Sequence, residues 1–173
     1  KAMPVIQSEI DVHGEAFAQN REAMLAAIAA FRDVEQKVLD KAQEAKAKFD
    51  KRGQLLPRER INLLLDAGAP FLELCSLAGY KLHDDKDGSQ AGGGLIAGIG
   101  YIAGVRCLVI ANNSAIKGGT ISPTGLKKSL RLQQIAFENK LPVVTLAESG
   151  GANLNYAADI FVEGARGFAN QAR

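Results

Sequence analysis

Apolar residues return at helical steps through the first third of the chain. From about Phe17 to Asp50, Met24, Ile28, Phe31, Val38, Ala42, Ala45 and Phe49 recur every three, four or seven positions, with Glu35 in the one skipped place. The spacing predicts a long amphipathic helix, able to lie across a body or a partner, that ends at Gly53. Its other face, with Lys37, Lys41, Glu44, Lys46 and Lys48, reads as a solvated surface. Pro57 suits the first turn of a second helix, whose apolar face is Ile61, Leu63, Leu64 and Leu65 and which closes at Asp66-Ala67-Gly68. Phe71 to Leu77 reads as a short strand. Lys81 to Gln90 reads as a polar surface loop, and its carboxylates Asp84, Asp85 and Asp87 lack the spacing of a calcium loop.

From Ala91 the pattern changes. Leu95 to Ile102 and Val105 to Ala111 are apolar, β-branched runs separated by Ala103-Gly104, which predicts a tight hairpin covered on both faces. Within it, Gly98 and Gly100 are expected to serve sheet packing. Ser122 is a helix cap and Pro123 the first helical position of a segment reaching about Asn139, with Leu126, Leu130, Ile135 and Phe137 on its buried side. Leu141 to Ala147 reads as another buried strand. Ala157 to Ala172 reads as a helix with no stop signal before Arg173, so the chain reads as the first part of a longer one. The alternation of strands and helices implies a layered α/β core with a parallel component.

Composition narrows the function. With 173 residues the chain has room for one sizeable core, and 47% hydrophobic against 23% charged residues excludes a disordered chain. A net charge of +2 is too small to signal binding to nucleic acid or a membrane surface, and 6% aromatics without tryptophan make no base-stacking platform. The longest apolar run, Leu95 to Ala111, is broken by Gly98, Gly100, Gly104 and Arg106, so no membrane span is expected. Cys75 and Cys107, each among apolar neighbours, read as two buried thiols in a reducing compartment. His13 and His83 lack ligand-like spacing, so no metal is expected. There is no secretory signal, and Lys1-Ala2 reads as an extension before a native Met3. Together these predict a soluble, intracellular protein.

The glycines carry the chemistry. Asn112 to Thr120, with Lys117-Gly118-Gly119-Thr120, and Glu148 to Asn153, with Gly150-Gly151-Ala152, each follow a strand and precede a helix, where backbone amides become available to an anion. Consecutive glycines let the chain approach a ligand and aim two N–H groups at one oxygen. Such a pair stabilises a thioester enolate or a tetrahedral oxyanion. Neither loop is a P-loop or a Gly-x-Gly-x-x-Gly turn, and Ser149 lacks the flanking glycine of a nucleophile elbow. On the residues alone, a structural turn and an amide-lined site remain equally open.

The segment Gly53-Gln54-Leu55-Leu56-Pro57-Arg58-Glu59-Arg60-Ile61-Asn62-Leu63-Leu64-Leu65-Asp66 resembles the opening motif of the carboxyltransferase (β) subunits of biotin-dependent acyl-CoA carboxylases. The Gly98-Ile99-Gly100 hairpin, Lys117-Gly118-Gly119-Thr120, Lys127-Lys128, Arg131 through Ala136, and Ser149-Gly150-Gly151-Ala152-Asn153-Leu154 continue the likeness in order. The resemblance implies a crotonase-like ββα superhelix of the ClpP/crotonase class, incomplete here and preceded by the long helix. Residues 1–52 would be an N-terminal arm and helix, and 53–173 the first part of the CoA carboxyltransferase N-terminal domain. It implies transfer of a carboxyl group from N-carboxybiotin to the α- or γ-carbon of an acyl-CoA. Biotin would ride on a carrier of a biotin carboxylase α subunit, where ATP is used, and the β subunits would form a hexamer. Gly150, Gly151 and Ala152 would line one side of the thioester oxyanion hole, Lys117 to Thr120 would border the CoA channel, and Lys127, Lys128 and Arg131 would meet CoA phosphates or simply lie on a helix surface. The second glycine pair and the biotin-side domain of the family have no counterpart in these residues. On this reading the 173-residue piece is inactive alone.

Departures from the family bear on substrate. Asn153-Leu154 points to the branched-chain enoyl-CoA group, and Ile121-Ser122-Pro123 with Glu148 to the geranyl-CoA rather than the 3-methylcrotonyl-CoA type. The resemblance places the protein in a bacterial cytoplasm, or in the mitochondrial matrix if eukaryotic. Competing readings are a non-catalytic acyl-CoA-binding or assembly module, a crotonase-type hydratase or hydrolase needing paired glutamates, for which only Glu138 and Glu148 offer themselves, and a protease, for which no serine–histidine pair can be assembled.

Overall fold

The structure, a computed structural model, describes residues 7–172 and divides into two compact units, Lys1–Val34 and Glu35–Arg173. The expected native start at Met3 lies outside the described residues. Helix α1 (Glu15–Gln43) is entered through a turn in which Asp11 accepts from the amides of His13 and Gly14. In the first unit the apolar stripe is on the surface: Met24, Leu25, Ile28 and Phe31 are all exposed.

In the second unit the same stripe is buried. Val38 and Ala42 pack with Ala91 and Ile116. The skipped position is explained here, because the Glu35 carboxylate accepts from Ser76 Oγ at 2.7 Å. The single predicted helix breaks at Glu44-Ala45 and resumes as α2 (Lys46–Asp50), which buries Phe49. Helix α3 (Pro57–Leu64) starts at the proline as expected, and Glu59 closes its first turn by accepting from the Leu56 amide at 2.8 Å. Arg58 reaches Glu73 through two parallel hydrogen bonds of 2.8 and 2.9 Å, which fastens α3 to the sheet.

The sheet runs in the order β1 (Leu72–Glu73), β2 (Leu95–Ile102), β3 (Val105–Asn112), β4 (Val143–Leu146). Strands β2 and β3 form the predicted hairpin, with Leu95 opposite Asn112 and Ile102 opposite Val105. Its Ala103-Gly104 turn is left-handed at both residues (φ 50° and 77°), and Asp66 accepts from both amides at 2.7 and 2.8 Å. From β3 the chain crosses over through α4 (Pro123–Glu138) to β4, which pairs with β3 in parallel from Leu108–Val143 to Ala111–Leu146. Helix α5 (Ala157–Gln171) follows. The hairpin is covered on both faces, by Leu132 and Ala136 of α4 on one side and Ile61 of α3 on the other. Gly98 has a packing role, since a Cβ there would lie 2.5 Å from Leu72 O and from the Phe71 ring.

Several expectations are corrected. The strand predicted over Phe71 to Leu77 is only two residues long, because Cys75 takes a left-handed φ of 53° and turns the chain away. Strand β4 ends the sheet order and alternates between exposed and half-buried residues, so it is not a buried strand. On α4 the inward positions include Lys128, Leu132 and Ala136, whereas Phe137 is 72% exposed. Cys107 is buried but Cys75 is exposed, and both are free thiols. The loop at Lys81 to Gln90 hides one of its carboxylates: Asp85 is 5% exposed.

Candidate active site

The two glycine loops meet. Ile121 and Ala152 form a parallel bridge, in which the Ile121 amide donates to Gly151 O at 2.9 Å and the Asn153 amide to Ile121 O at 3.1 Å. The close approach explains the glycines. A Cβ on Gly119 would lie 2.7 Å from Glu148 O, and one on Gly150 would lie 2.8 Å from both Gly118 O and Thr120 Oγ1. Any larger residue would push the loops apart.

The loops are braced from the sheet side. Asn112, at the buried end of β3, accepts from the Glu148 amide at 3.2 Å, so one side chain ties the root of the first loop to the root of the second. Arg60 of α3 pairs with the Glu148 carboxylate at 3.1 Å. Within the first loop the Gly119 and Thr120 amides donate to Ile116 O and Lys117 O, and Ser122 caps α4 by accepting from the Gly125 amide. Within the second, Ser149 Oγ accepts from the Gly151 amide at 2.9 Å. Among the described residues the amides of Gly150 and Ala152 have no acceptor, and both residues are exposed. These amides are among the loop N–H groups left without a partner in the described residues.

Beside them lies a recess of about 50 Å³, bordered by Asp84, Gly93, Gly94, Lys117, Thr120 and Asn153. It holds a few waters at most. Of its carboxylates, Asp84 pairs with Lys117 at 3.6 Å and accepts from Asn153 Nδ2 and Tyr156 Oη, while Asp85 accepts from the Lys81 and Gln90 amides. The hydrogen bond from Tyr156 chiefly holds the Asp84 carboxyl below its ordinary value, and the same bond raises the Tyr156 phenol.

Of the ten residues singled out in the sequence, the structure brings Lys117, Gly118, Gly119, Thr120, Gly150, Gly151 and Ala152 together. It does not bring Lys127 and Arg131 to them. Those two line a groove of about 660 Å³ between α4 and α5, with Arg166 nearby. Lys128 is corrected more sharply, for it is 4% exposed and its ammonium donates to Gly92 O and Leu95 O at 3.2 and 2.7 Å. A cation so enclosed is not presented to a surface phosphate, and burial pushes its pKa down to about 8. Asn112, Arg60 and Asp84 were not marked by the sequence as site residues. Their partners lie 36, 88 and up to 72 positions away, and no local pattern signals that.

The rival chemistries find no support in this geometry. Glu148 is paired with Arg60, and Glu138 accepts from Gln134 on its own helix, so the two glutamates do not share a site as acid and base. Ser149 is engaged with the Gly151 amide rather than with a histidine.

Residues 48–173 match the family described as the carboxyl transferase domain. The chain is 82% identical to the geranyl-CoA carboxylase β subunit of P. aeruginosa, over 98% of this chain and 32% of that one, with a TM-score of 0.90. It is 44% identical over 158 residues to the probable mitochondrial methylcrotonoyl-CoA carboxylase β chain of Drosophila melanogaster, covering 91% of this chain and 27% of that protein. The transcarboxylase 12S crystal structure shares the fold at 21% identity and a TM-score of 0.70. The chain thus spans about a quarter to a third of the length of these relatives. The β2–β3–α4 succession followed by β4 and α5 is the α/β, crotonase-like arrangement expected, preceded by a long N-terminal helix. With the paired glycine loops and the match over 48–173, the chain belongs to the carboxyl transferase domain family.

Proposed function

We propose that this chain is part of a carboxyltransferase subunit that moves a carboxyl group onto the carbon skeleton of an enoyl-CoA, with geranyl-CoA as substrate. The observation that carries the reading is the pair of acceptor-free amides at Gly150 and Ala152, held by the bridge between the glycine loops. Deprotonating a carbon conjugated to a thioester places negative charge on the carbonyl oxygen, and two preset N–H donors stabilise that charge more than the neutral ground state. Removing one such donor costs roughly 3–4 kcal/mol in catalysis. On this reading Lys117 to Thr120 would border the CoA channel, and Lys127 and Arg131, which line the α4–α5 groove, would meet CoA phosphates or simply lie on the helix surface. Gly151 supports the pair through its left-handed backbone (φ 86°).

Biotin, carried on a separate α subunit that loads it with the use of ATP, supplies the activated carboxyl group. The residues of this chain fit the thioester half of that reaction, because they offer backbone amides to a carbonyl oxygen. Assembly as a β hexamer with surrounding α subunits is part of the proposal. Among the described residues no helix is long and apolar enough to cross a membrane. The preference for geranyl-CoA over 3-methylcrotonyl-CoA is supported by the 82% identity to the P. aeruginosa geranyl-CoA carboxylase β subunit and by Ile121 and Glu148 at the loops.

The test is bicarbonate fixation by the complete subunit paired with its biotin-bearing partner, using geranyl-, 3-methylcrotonyl-, propionyl- and acetyl-CoA. The expected result is the highest kcat/KM for geranyl-CoA. Preference for another thioester discards the substrate and keeps the reaction. No turnover of any thioester, with retained acyl-CoA binding, replaces the enzyme by a binding module.

A further inference from the structure

The loop at 81–90 does more than cover the surface. Its shape is set from within: the buried carboxylate of Asp85 accepts from the amides of Lys81 and Gln90, both at 3.0 Å, and so closes the loop on itself. Asp84, the preceding residue, is thereby presented to both glycine loops. Its Oδ1 accepts from Tyr156 Oη at 3.0 Å and its Oδ2 from Asn153 Nδ2 at 3.1 Å, both just beyond Gly150-Gly151-Ala152. The same Oδ2 lies 3.6 Å from the ammonium of Lys117, at the head of Gly118-Gly119. His83 adds a third anchor, 3.1 Å from Thr124 Oγ1 in the first turn of α4 and edge-on to the Tyr156 ring at 4.9 Å.

We propose that Asp84 is a positioning residue for carboxyl transfer, which sets the spacing of the two glycine loops by clamping Lys117 to Asn153 and Tyr156. The inference rests on the carboxyltransferase reading and deepens it. The Ile121–Ala152 bridge and the Asn112–Glu148 hydrogen bond join the loops, but neither contacts Lys117 at the head of Gly118-Gly119. Asp84 supplies a further tie, from Lys117 to Asn153 and Tyr156 just beyond Ala152. Because the clamp is exposed, its hydrogen bonds and ion pair add little to global stability. The aim of an oxyanion donor is far more sensitive: a misplacement of about 1 Å costs about a hundredfold in rate. A residue with a small effect on folding and a large one on turnover is the signature expected.

The experiment uses the complete subunit with its biotin-bearing partner, and geranyl-CoA as probe. Asp84→Ala is expected to lower kcat about tenfold while KM for the thioester stays within about threefold and the melting temperature within about 2 °C. Asp84→Asn keeps one acceptor oxygen, for Tyr156 or for Asn153, gives up the Lys117 ion pair, and is expected to recover part of the loss. Adding Tyr156→Phe to Asp84→Ala is expected to cost nothing further, since both act through one contact. A kcat within about twofold of the unsubstituted complex in Asp84→Ala overturns the proposal. So does a loss that follows the melting temperature down and is no smaller in Asp84→Asn. An unsubstituted complex that fixes no bicarbonate fails differently: it overturns the carboxyltransferase reading, and the clamp with it.

Discussion

Replacing Gly150 by alanine tests the meeting of the two loops directly. Its φ is not in the left-handed region, so the substitution carries no backbone penalty and acts through one methyl group. That methyl would lie 2.8 Å from Gly118 O and from Thr120 Oγ1, where ordinary contact begins at 3.4 Å. The loops must part by roughly half an ångström, against the hydrogen bonds that bridge Ile121 to Gly151 and Asn153. Overpacking of this kind costs about 1–3 kcal/mol of stability. The same displacement moves the Gly150 and Ala152 amides off the oxygen they address, which is expected to lower kcat about 10- to 100-fold. Gly104→Ala is the control. Nothing lies within 4 Å of a Cβ there, but φ is 77°, so it costs about 1–2 kcal/mol of backbone strain in a hairpin turn outside the glycine loops. The assay pairs bicarbonate fixation with urea unfolding for both variants. Comparable losses of stability with a loss of kcat confined to Gly150→Ala support the reasoning. Equal kcat values in the two variants would refute it.

Lys128 predicts a pH signature. Its pKa is about 8 in the folded chain against an ordinary 10.5, so the burial penalty is felt in full below pH 8. Between 8 and 10.5 the unfolded chain holds the proton that the folded one has released, so stability rises with pH, by up to roughly 3 kcal/mol. Urea unfolding at several pH values should show that rise in the parent and not in Lys128→Met, and parallel curves would count against it. Asp66→Ala removes the carboxylate that accepts from both turn amides of the hairpin and should cost about 1–2 kcal/mol in urea, with kcat per folded subunit unchanged.

Some of this was legible in the residues alone. Ser122-Pro123 announced the start of α4, and Ala103-Gly104 between two β-branched runs announced the hairpin to the residue, because caps and tight turns depend on atoms a few positions apart. The pairs Gly118-Gly119 and Gly150-Gly151 marked the loops, since few other residues tolerate a left-handed backbone or a neighbour within 3 Å. What the residues could not state is which partner each of them meets. Local pattern treated Lys128 as a surface cation, Phe137 as core and Cys75 as buried, yet the crossover from β3 to β4 rotates α4 so that Lys128 points inward and Phe137 outward, and β1 stops short of Cys75. Asp84 sat in an acidic stretch that reads as solvated until the fold brings Lys117, Asn153 and Tyr156 to it. The starts of α3 and α4, the hairpin turn and the backbone positions that must be glycine are all set by neighbouring atoms and so could be read along the chain. Which charges are matched, which are buried and which loops share a site follow from the fold, because those energies depend on distances between residues far apart along the chain.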